Sequence, residues 1–188
     1  MPFGDIQNNL KKESFWGSWY PFESGNRFTS LSLEETLMGG QSFDWHSIAN
    51  LHWRGRVERN IFECRWQNGK PEWRCQKKTV HPKELIKKYF CLGVGYDASV
   101  NELPWRSDPI LSICMEQLDG LRILRQPLDQ TLFFFILSSA KSIPQIQAIG
   151  EAVFQRYGDE LMAGIYSFPG WAKLAESPEE DLRLLKMG

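Results

Sequence analysis

A basic and aromatic segment is the part of this sequence whose residue types could do chemistry on a charged partner. From Arg54 to Lys88 the chain carries eleven lysines and arginines against four acidic residues, in a protein whose net charge is −1. Cations mixed with aromatic side chains are typical of surfaces that bind a phosphate backbone. The solvated face of a β-sheet needs charges as well. Composition alone leaves both interpretations open.

The cysteines and histidines lack the spacing of a metal or redox site. No two cysteines are separated by the two residues that a zinc ribbon or a dithiol redox pair requires; they are Cys64, Cys75, Cys91 and Cys114. The three histidines lack the i, i+4 spacing of a helical zinc pair. We therefore predict no metal and no cofactor, and we expect the cysteines to be small buried apolar residues in a reducing compartment.

Alternating apolar and polar residues predict the sheet that would hold the basic segment. Residues 1–27 have no clear hydrophobic period and predict an irregular N-terminal segment. From Arg27 to about Val80 the pattern is one of strands, with apolar side chains at every second position. Asn68-Gly69 separates two of these runs and is favoured in tight hairpins, because both central residues need positive φ. The sequence thus predicts an antiparallel meander.

Helical spacing dominates after the sheet. Pro82 suits the first turn of a helix with an apolar stripe up to Phe90. Residues 91–107 contain glycines and a proline and predict a linking segment. A second stripe at helical spacing follows, formed by Ile110, Ile113, Cys114 and Leu118.

Three further signals define the C-terminal helices. Residues 128–139 contain the unbroken apolar run 132–137 and predict a helix buried on most sides, as core and not as a platform for stacking bases. Ser142 is placed to cap the next helix. Ser177 and Glu180 form the pattern of a capping box for a last helix that runs to Met187.

Strands followed by helices predict an α+β architecture. We expect a sheet domain in residues 1–107 and a helical part in residues 108–188. With 42% hydrophobic and 24% charged residues, the chain is neither disordered nor fibrous. Its longest apolar run, residues 132–137, is far shorter than the ~18–20 residues of a membrane span, and no signal peptide is visible. These features predict a soluble intracellular protein, in the cytoplasm or nucleoid if it is bacterial.

Two motifs carry a family resemblance. The first is Gly39-Gly40-Gln41-Ser42-Phe43-Asp44-Trp45, and the second begins Gly120-Leu121-Arg122-Ile123-Leu124-Arg125-Gln126 and continues through Ser138-Ser139 to Ile143. In this order and separation they resemble the 8-oxoguanine DNA glycosylases of the helix-hairpin-helix superfamily. The resemblance covers about residues 31–188. It implies an antiparallel sheet domain, the first helices of an all-helical domain, and base-excision repair of damaged double-stranded DNA.

The resemblance assigns lesion recognition to Gly40, Gln41, Ser42 and Phe43. Guanine has a lone pair at N7, whereas 8-oxoguanine has an N7–H donor. The family aims a backbone carbonyl at this atom from the glycine before Gln-Ser-Phe, which is Gly40 here. Undamaged guanine would leave that acceptor unpaired, at a cost of ~1–3 kcal/mol. The alternative interpretation is a turn glycine selected for its φ alone.

The resemblance also implies DNA contacts just after the second motif, since the target nucleotide must be flipped out of the duplex. We predict Ser139, Lys141, Ser142 and Gln145 as DNA-binding residues, with the helix start adding amides suited to a phosphate. The family has asparagine directly after the two serines and arginine five positions later. This chain has Ala140 and Gln145 there, so the resemblance does not extend to these two residues, with which the family reads the cytosine opposite the lesion.

The catalytic residues of the family have no counterpart in this sequence. In the family a lysine amine attacks the sugar C1′ and forms a Schiff base, with help from an aspartate. Both lie in and after the helix-hairpin-helix, and no lysine here matches by motif. We therefore predict no catalytic residue in this chain, inactivity on its own, and a second chain or a missing C-terminal part that carries the helix-hairpin-helix.

Three functions are compatible with the sequence. The preferred one is the N-terminal part of an 8-oxoguanine DNA glycosylase and AP lyase. The second is a non-catalytic module that binds damaged DNA. The third is a tryptophan-rich sheet that binds a carbohydrate or a peptide. The first two require damaged duplex DNA as the partner, and none of them involves a membrane.

Overall fold

The computed structural model of the protein describes residues 15–23, 25–93, 95–139 and 141–185. In these ranges a five-stranded antiparallel sheet is followed by a series of helices and a small two-stranded sheet. The predicted α+β class is confirmed. Every helix in the same ranges is too short or too polar to cross a membrane.

The main sheet has the predicted meander at its centre. Its strand order is β1-β5-β4-β3-β2, with β1 at Tyr20–Pro21, β2 at Trp45–Ala49, β3 at His52–Val57, β4 at Asn60–Gln67 and β5 at Lys70–Cys75. The β4–β5 hairpin closes where Gln67 pairs with Lys70, around Asn68 and Gly69 at φ 50° and 74°. The turn predicted from Asn-Gly is therefore present, with both central residues at positive φ.

A helix lies between β1 and β2, in a region that we predicted as strand. Helix α1 spans Ser30–Met38 and begins with a capping box between Thr29 and Ser32. Leu33 and Leu37, one helical turn apart, are completely buried against the sheet. The strand prediction for this segment is wrong, because the cap and the i, i+4 leucines decide the local structure.

Helix α2, Pro82–Tyr89, covers the same face of the sheet and begins at the predicted proline. Together α1, α2 and the sheet enclose the first core, which contains the largest buried aromatic side chains of this part: Trp45, Trp53, Phe62, Trp73 and Phe90. The tryptophans of the strands are thus mainly packing residues.

The segment predicted as a linker contains a helix of its own. Helix α3 spans Tyr96–Glu102, and helix α4 follows at Pro109–Gln117, capped by the Asp108 carboxylate on two amides. The apolar stripe predicted for α4 exists, but Ile110 and Ile113 on it are exposed to solvent. Helical spacing identified the element and not its buried face.

The second core lies among the C-terminal elements. These are α5 (Leu128–Ser138), α6 (Ile143–Tyr157), the hairpin of β6 (Glu160–Met162) and β7 (Ile165–Tyr166), α7 (Trp171–Ala175) and α8 (Glu179–Leu184). Phe133, Phe134 and Leu137 of α5 pack there against Phe154 of α6. The expectation that α5 is buried on most sides is wrong, since its other face is exposed.

The predicted capping box of the last helix is also absent. Pro178 occupies the N-cap position of α8, and the Ser177 hydroxyl instead donates to the Lys173 carbonyl at 2.9 Å. A proline that directly precedes the helix sets its entry geometry without a side-chain cap. Met187, where we expected this helix to end, lies outside the described residues.

One buried arginine joins the two cores. Arg56 on β3 donates to Asp44 at 2.9 Å and to Glu151 of α6, and its guanidinium lies 4.7 Å over the ring of Phe154. Asp44 also accepts a hydrogen bond from Gln130 of α5 at 2.5 Å. Burial raises the pKa of the Asp44 carboxyl, whereas Arg56 opposes this shift. The sheet is thereby tied to α5 and α6 by an ion cluster in which Arg56 and Asp44 are buried.

We predict that Arg56→Met destabilises the protein by about 3–5 kcal/mol, because it leaves Asp44 buried without its counter-ion. The matched control is Arg59→Met, which removes an exposed partner of Asp159 and should change stability by ~0.5 kcal/mol or less. Urea unfolding followed by circular dichroism measures both. Equal effects for the two variants would contradict the role of Arg56.

A second ion cluster lies on the outer face of the sheet. The Glu63 carboxylate is completely buried and accepts hydrogen bonds from Arg54, Arg74 and His52. The rings of Trp16 and Trp19 cover Arg74 at 4.8 and 4.5 Å. Pairing with acidic side chains extends along the whole basic segment, residues 54–88. Seven of its eleven cations contact a carboxylate: Arg54, Arg56, Arg59, Arg65, Arg74, Lys87 and Lys88. The local excess of positive charge therefore mainly serves ion pairs within the fold.

The Glu63 cluster should make stability depend on acid pH. Burial alone would raise the pKa of this carboxyl, but hydrogen bonds from His52, Arg54 and Arg74 lower it from 4.5 to about 2. Stability from a lowered pKa is present above the unfolded value and is lost as pH falls toward the folded one. We predict that Glu63→Gln is less stable than the natural protein by ~3 kcal/mol at neutral pH, and that this difference shrinks between pH 4.5 and 2. Urea unfolding across this window measures it; a difference independent of pH would refute the assignment.

Candidate functional site

The candidate site is built around the loop between α1 and β2. Gly40 in this loop has φ 93°, and a Cβ placed on it would lie 3.3 Å from the Cδ1 of Ile143. Side chains other than hydrogen are strained at this φ. The loop therefore requires glycine at this position, and the glycine brings the backbone close to the start of α6.

Gln41 fixes this loop to the segment that precedes α5. Its Nε2 donates to the carbonyls of Thr36 at 3.0 Å and Arg122 at 2.8 Å, and its Oε1 accepts from the Leu124 amide at 2.9 Å. The backbone carbonyl of Gln41 accepts from the Gln126 side chain at 2.5 Å. We call these four bonds the glutamine clamp. The clamp joins the two sequence motifs, which are more than eighty residues apart.

Ser42 and Phe43 anchor the other side of the loop. The Ser42 hydroxyl is buried, 3.5 Å from the Tyr89 hydroxyl, which also accepts from the Trp45 indole at 3.0 Å. Burial raises the pKa of Tyr89 above its ordinary range, so the phenol stays neutral. The ring of Phe43 packs on Phe134 of α5, with centroids 5.3 Å apart. Side chains of this loop thus hold it in place.

The second predicted group of site residues surrounds the turn from α5 to α6. Ser139, Ser142 and Gln145 are exposed, and Lys141 is half-buried. Both the amide and the hydroxyl of Ser142 donate to the Gln145 Oε1, at 2.9 and 3.0 Å. This confirms Ser142 at the start of α6 and assigns Gln145 a capping role. Ala140 lies outside the described residues.

The structure brings the two predicted groups together. Ile143, which follows Ser142 directly, is the residue that a Cβ on Gly40 would approach. The Gln147 side chain of α6 also donates to the Trp45 carbonyl at the end of the loop, at 3.1 Å. The loop and the start of α6 therefore form one continuous surface.

Two residues of the site were not predicted from the sequence as site residues. The Gln126 side chain donates to the backbone carbonyl of Gln41. The Thr36 carbonyl accepts from the Gln41 side chain, and the Thr36 hydroxyl accepts from the backbone N–H of Arg122 at 3.2 Å. Gln126 lies in the second motif, which was the available signal for it. Thr36 had no such signal, because its role arises only when α1 meets the segment before α5.

The described part of the chain has no cluster of three or more His, Cys, Asp or Glu side chains suited to a metal ion. A rigid, glycine-containing loop beside a helix start can present backbone carbonyls and amides to a polar ligand.

Comparison with known proteins gives a consistent result. Residues 26–132, more than half of the chain, match the family described as 8-oxoguanine DNA glycosylase, N-terminal domain. The chain is 26% identical over 180 residues to the N-glycosylase/DNA lyase OGG1 of Arabidopsis thaliana, a match that covers 90% of this chain and 48% of that protein. It therefore spans about half the length of this curated relative.

Solved structures share the fold. MBOgg1, solved with a low-affinity DNA ligand, superposes with a TM-score of 0.74 at 24% identity, covering 92% of this chain and 61% of that one. The Clostridium acetobutylicum 8-oxoguanine glycosylase/lyase, solved with double-stranded DNA containing cytosine opposite 8-oxoG, has a TM-score of 0.71 at 28% identity, covering 82% of this chain and 53% of that one. With the family match over residues 26–132, these similarities lead to one conclusion: the chain belongs to the 8-oxoguanine DNA glycosylase family, through its N-terminal domain.

Proposed function

We propose that this chain is the lesion-reading part of an 8-oxoguanine DNA glycosylase and AP lyase that acts in base-excision repair on damaged duplex DNA. The observation that carries the proposal is the glutamine clamp, which holds Gly40 rigidly at the junction of the two family motifs. The Clostridium acetobutylicum relative, whose structure contains 8-oxoG in duplex DNA, supports the same substrate.

In this proposal Gly40 contributes its backbone carbonyl to the lesion. The N7–H of 8-oxoguanine donates to that carbonyl, whereas the N7 lone pair of guanine repels it. Gln41, Ser42 and Phe43 then act as positioning residues, because their side chains bond or pack within the protein. A carbonyl that cannot turn away has to remain unpaired against guanine, and this gives the selectivity.

The proposed DNA contacts lie on the surface next to this loop. Lys141 would pair with a phosphate, and the exposed hydroxyls of Ser139 and Ser142 would contact the backbone beside the flipped nucleotide. The Gln145 carbonyl oxygen is used by the helix cap, so its contribution would be the two donors of its amide nitrogen. Ala140 and Gln145 stand where the family has asparagine and arginine. We therefore propose weaker selectivity for the base opposite the lesion.

Catalysis is proposed to require residues that this sequence does not contain. No lysine here aligns by motif with the family nucleophile, and the chain spans about half of its curated relative. The division into a sheet domain, residues 1–107, and an incomplete helical domain, residues 108–188, remains our prediction. Lesion reading would then belong to the first domain and the phosphate contacts to the second.

DNA binding is tested by fluorescence anisotropy with duplexes that contain either 8-oxoguanine or guanine, titrated at several salt concentrations. We expect tighter binding of the lesion, and an affinity that falls with salt because phosphate contacts release counter-ions. An affinity independent of salt would contradict a phosphate-backbone mode and favour the carbohydrate- or peptide-binding alternative.

The role of Gly40 predicts a specific effect on selectivity. Gly40→Ala should reduce the preference for 8-oxoguanine over guanine about ten-fold, since the strained loop can no longer aim its carbonyl. The matched control is Gly69→Ala, because Gly69 also has positive φ, 74°, but lies in the β4–β5 hairpin with nothing within 4 Å of its Cβ position. Anisotropy titrations compare the two variants. Equal loss of preference in both would show that backbone strain, and not carbonyl placement, is responsible.

The absence of a nucleophile predicts no covalent chemistry. Treatment of the 188-residue chain and an 8-oxoguanine duplex with borohydride should trap no protein–DNA adduct, because no lysine forms a Schiff base. Denaturing electrophoresis measures the adduct, with an active 8-oxoguanine glycosylase/lyase as the positive control. An adduct would overturn this part of the proposal. Binding without an adduct is also what a non-catalytic DNA-binding module would give.

A further inference from the structure

A groove lies between α3, α4 and residues 121–125, and we call it the α3–α4 groove. Its volume is about 680 Å³, which is within the ~300–1,000 Å³ of small-molecule sites. Apolar side chains form most of its lining, among them Val100 and Leu103 at the end of α3 and Leu111 and Met115 of α4. A groove of this size and lining suits the apolar part of a small ligand.

The charged groups of the α3–α4 groove all have one sign. Arg122 and Arg125 line it, and none of the described residues that line it is acidic. Arg125 is exposed, whereas only 5% of Arg122 is exposed. The groove therefore combines an apolar lining with a positive potential, which attracts an anion.

Arg122 is buried without an ion-pair partner in the described part of the chain. Its guanidinium donates to the Asn26 carbonyl at 3.0 Å and lies 3.9 Å over the ring of Tyr96, but its Nε has no hydrogen-bond partner among the described residues. Asp97, which favours this charge, bonds Arg27 at 2.8 Å instead. Burial accordingly lowers the pKa of the Arg122 guanidinium. A buried cation in this state gains stability from an anion beside it.

The walls of the groove are already held in place. The glutamine clamp holds residues 121–125 through the carbonyl of Arg122 and the amide of Leu124. On the side of α3, the Tyr96 hydroxyl accepts from the Gly120 amide at 2.8 Å. Because the walls are fixed, a ligand would not have to order them on binding.

These features define the chemistry of the ligand. Duplex DNA does not fit, since a polyanion needs an extended cationic surface and not an apolar groove. A neutral apolar molecule would leave Arg122 without an anion. A carboxylate with an apolar chain satisfies both parts of the groove, because guanidinium groups pair strongly with carboxylates.

We infer that the α3–α4 groove binds a small amphipathic carboxylate of the fatty-acid class. Its apolar chain lies between α3 and α4, and its carboxylate lies beside Arg122 and Arg125. This binding site is separate from the proposed lesion reading and does not depend on it.

The test is calorimetric titration of the 188-residue chain with decanoate, at concentrations too low for micelles to form. We expect saturation at one molecule per chain. Decanol has the same apolar chain length but no carboxylate, and it should bind at least ten-fold more weakly, because the charged hydrogen bonds are lost. Decylammonium should bind more weakly still, since the two arginines repel it.

Three variants locate the site. Leu103→Asp places a carboxylate in the lining and should weaken decanoate binding at least ten-fold. Ile110→Asp is the matched control, because Ile110 is an exposed apolar residue of α4 that does not line the groove, and it should leave binding unchanged. Arg125→Gln should weaken decanoate about three-fold and leave decanol unaffected. All three residues are exposed, so thermal unfolding should confirm that the variants keep the natural fold.

Each other outcome overturns the inference. Equal affinities for decanoate and decanol would show that the arginines do not select an anion, and uptake without saturation would show non-specific adsorption only. A dimer that Leu103→Asp dissociates, together with no binding of decanoate, would assign the groove to a second copy of the chain. The assay contains no DNA, so its result is independent of the proposed function.

Discussion

The fold depends on the ion cluster around Arg56, a buried charged group of the sheet that bonds directly to a helix. Its guanidinium bonds Asp44 and Glu151 and lies on the ring of Phe154, and Gln130 completes the bonding of Asp44. Removing charges from water is costly, and such a cluster is stable only when all its members are paired. Asp44 is also the last residue of the loop that contains Gly40. The cluster that joins the two cores therefore fixes one end of the candidate site.

The glutamine clamp fixes the rest of the loop. Gln41 uses both ends of its amide on the backbone of distant segments, and Gln126 holds its carbonyl. In the proposed function, a loop held by this many bonds would not relax around a wrong ligand, so the Gly40 carbonyl would discriminate between a donor and an acceptor. Discrimination by an unpaired acceptor requires rigidity, because a mobile loop would turn away and avoid the penalty. In the proposed function, this packing and hydrogen bonding would be the basis of selectivity.

Short-range sequence signals predicted the turns and helix starts that depend only on neighbouring residues. Asn68-Gly69 gave the hairpin, Pro82 the start of α2, and Ser142 the start of α6. Three features could not be predicted in this way. Helix α1 was missed because its capping box lies within a segment interpreted as strand. The exposed face of α5 could not be predicted, since an apolar helix carries no sign of which side lacks a neighbour. The clamp depends on contacts between residues 41 and 124, which only the tertiary fold brings together. The family motifs identified Gly40 to Phe43, but not that the side chains of Gln41, Ser42 and Phe43 bond or pack within the protein and so hold the loop around Gly40.

The central claim is that a fixed carbonyl at Gly40 recognises one hydrogen atom of the lesion. The most direct measurement is the affinity of the chain for duplexes that contain guanine, 8-oxoguanine, or an 8-oxoguanine analogue whose N7 is replaced by carbon and so has no N–H. The account predicts that 8-oxoguanine binds about ten-fold more tightly than the analogue, because only 8-oxoguanine donates to the carbonyl. Equal affinities for 8-oxoguanine and the analogue, both above that for guanine, would contradict it and place recognition elsewhere on the base.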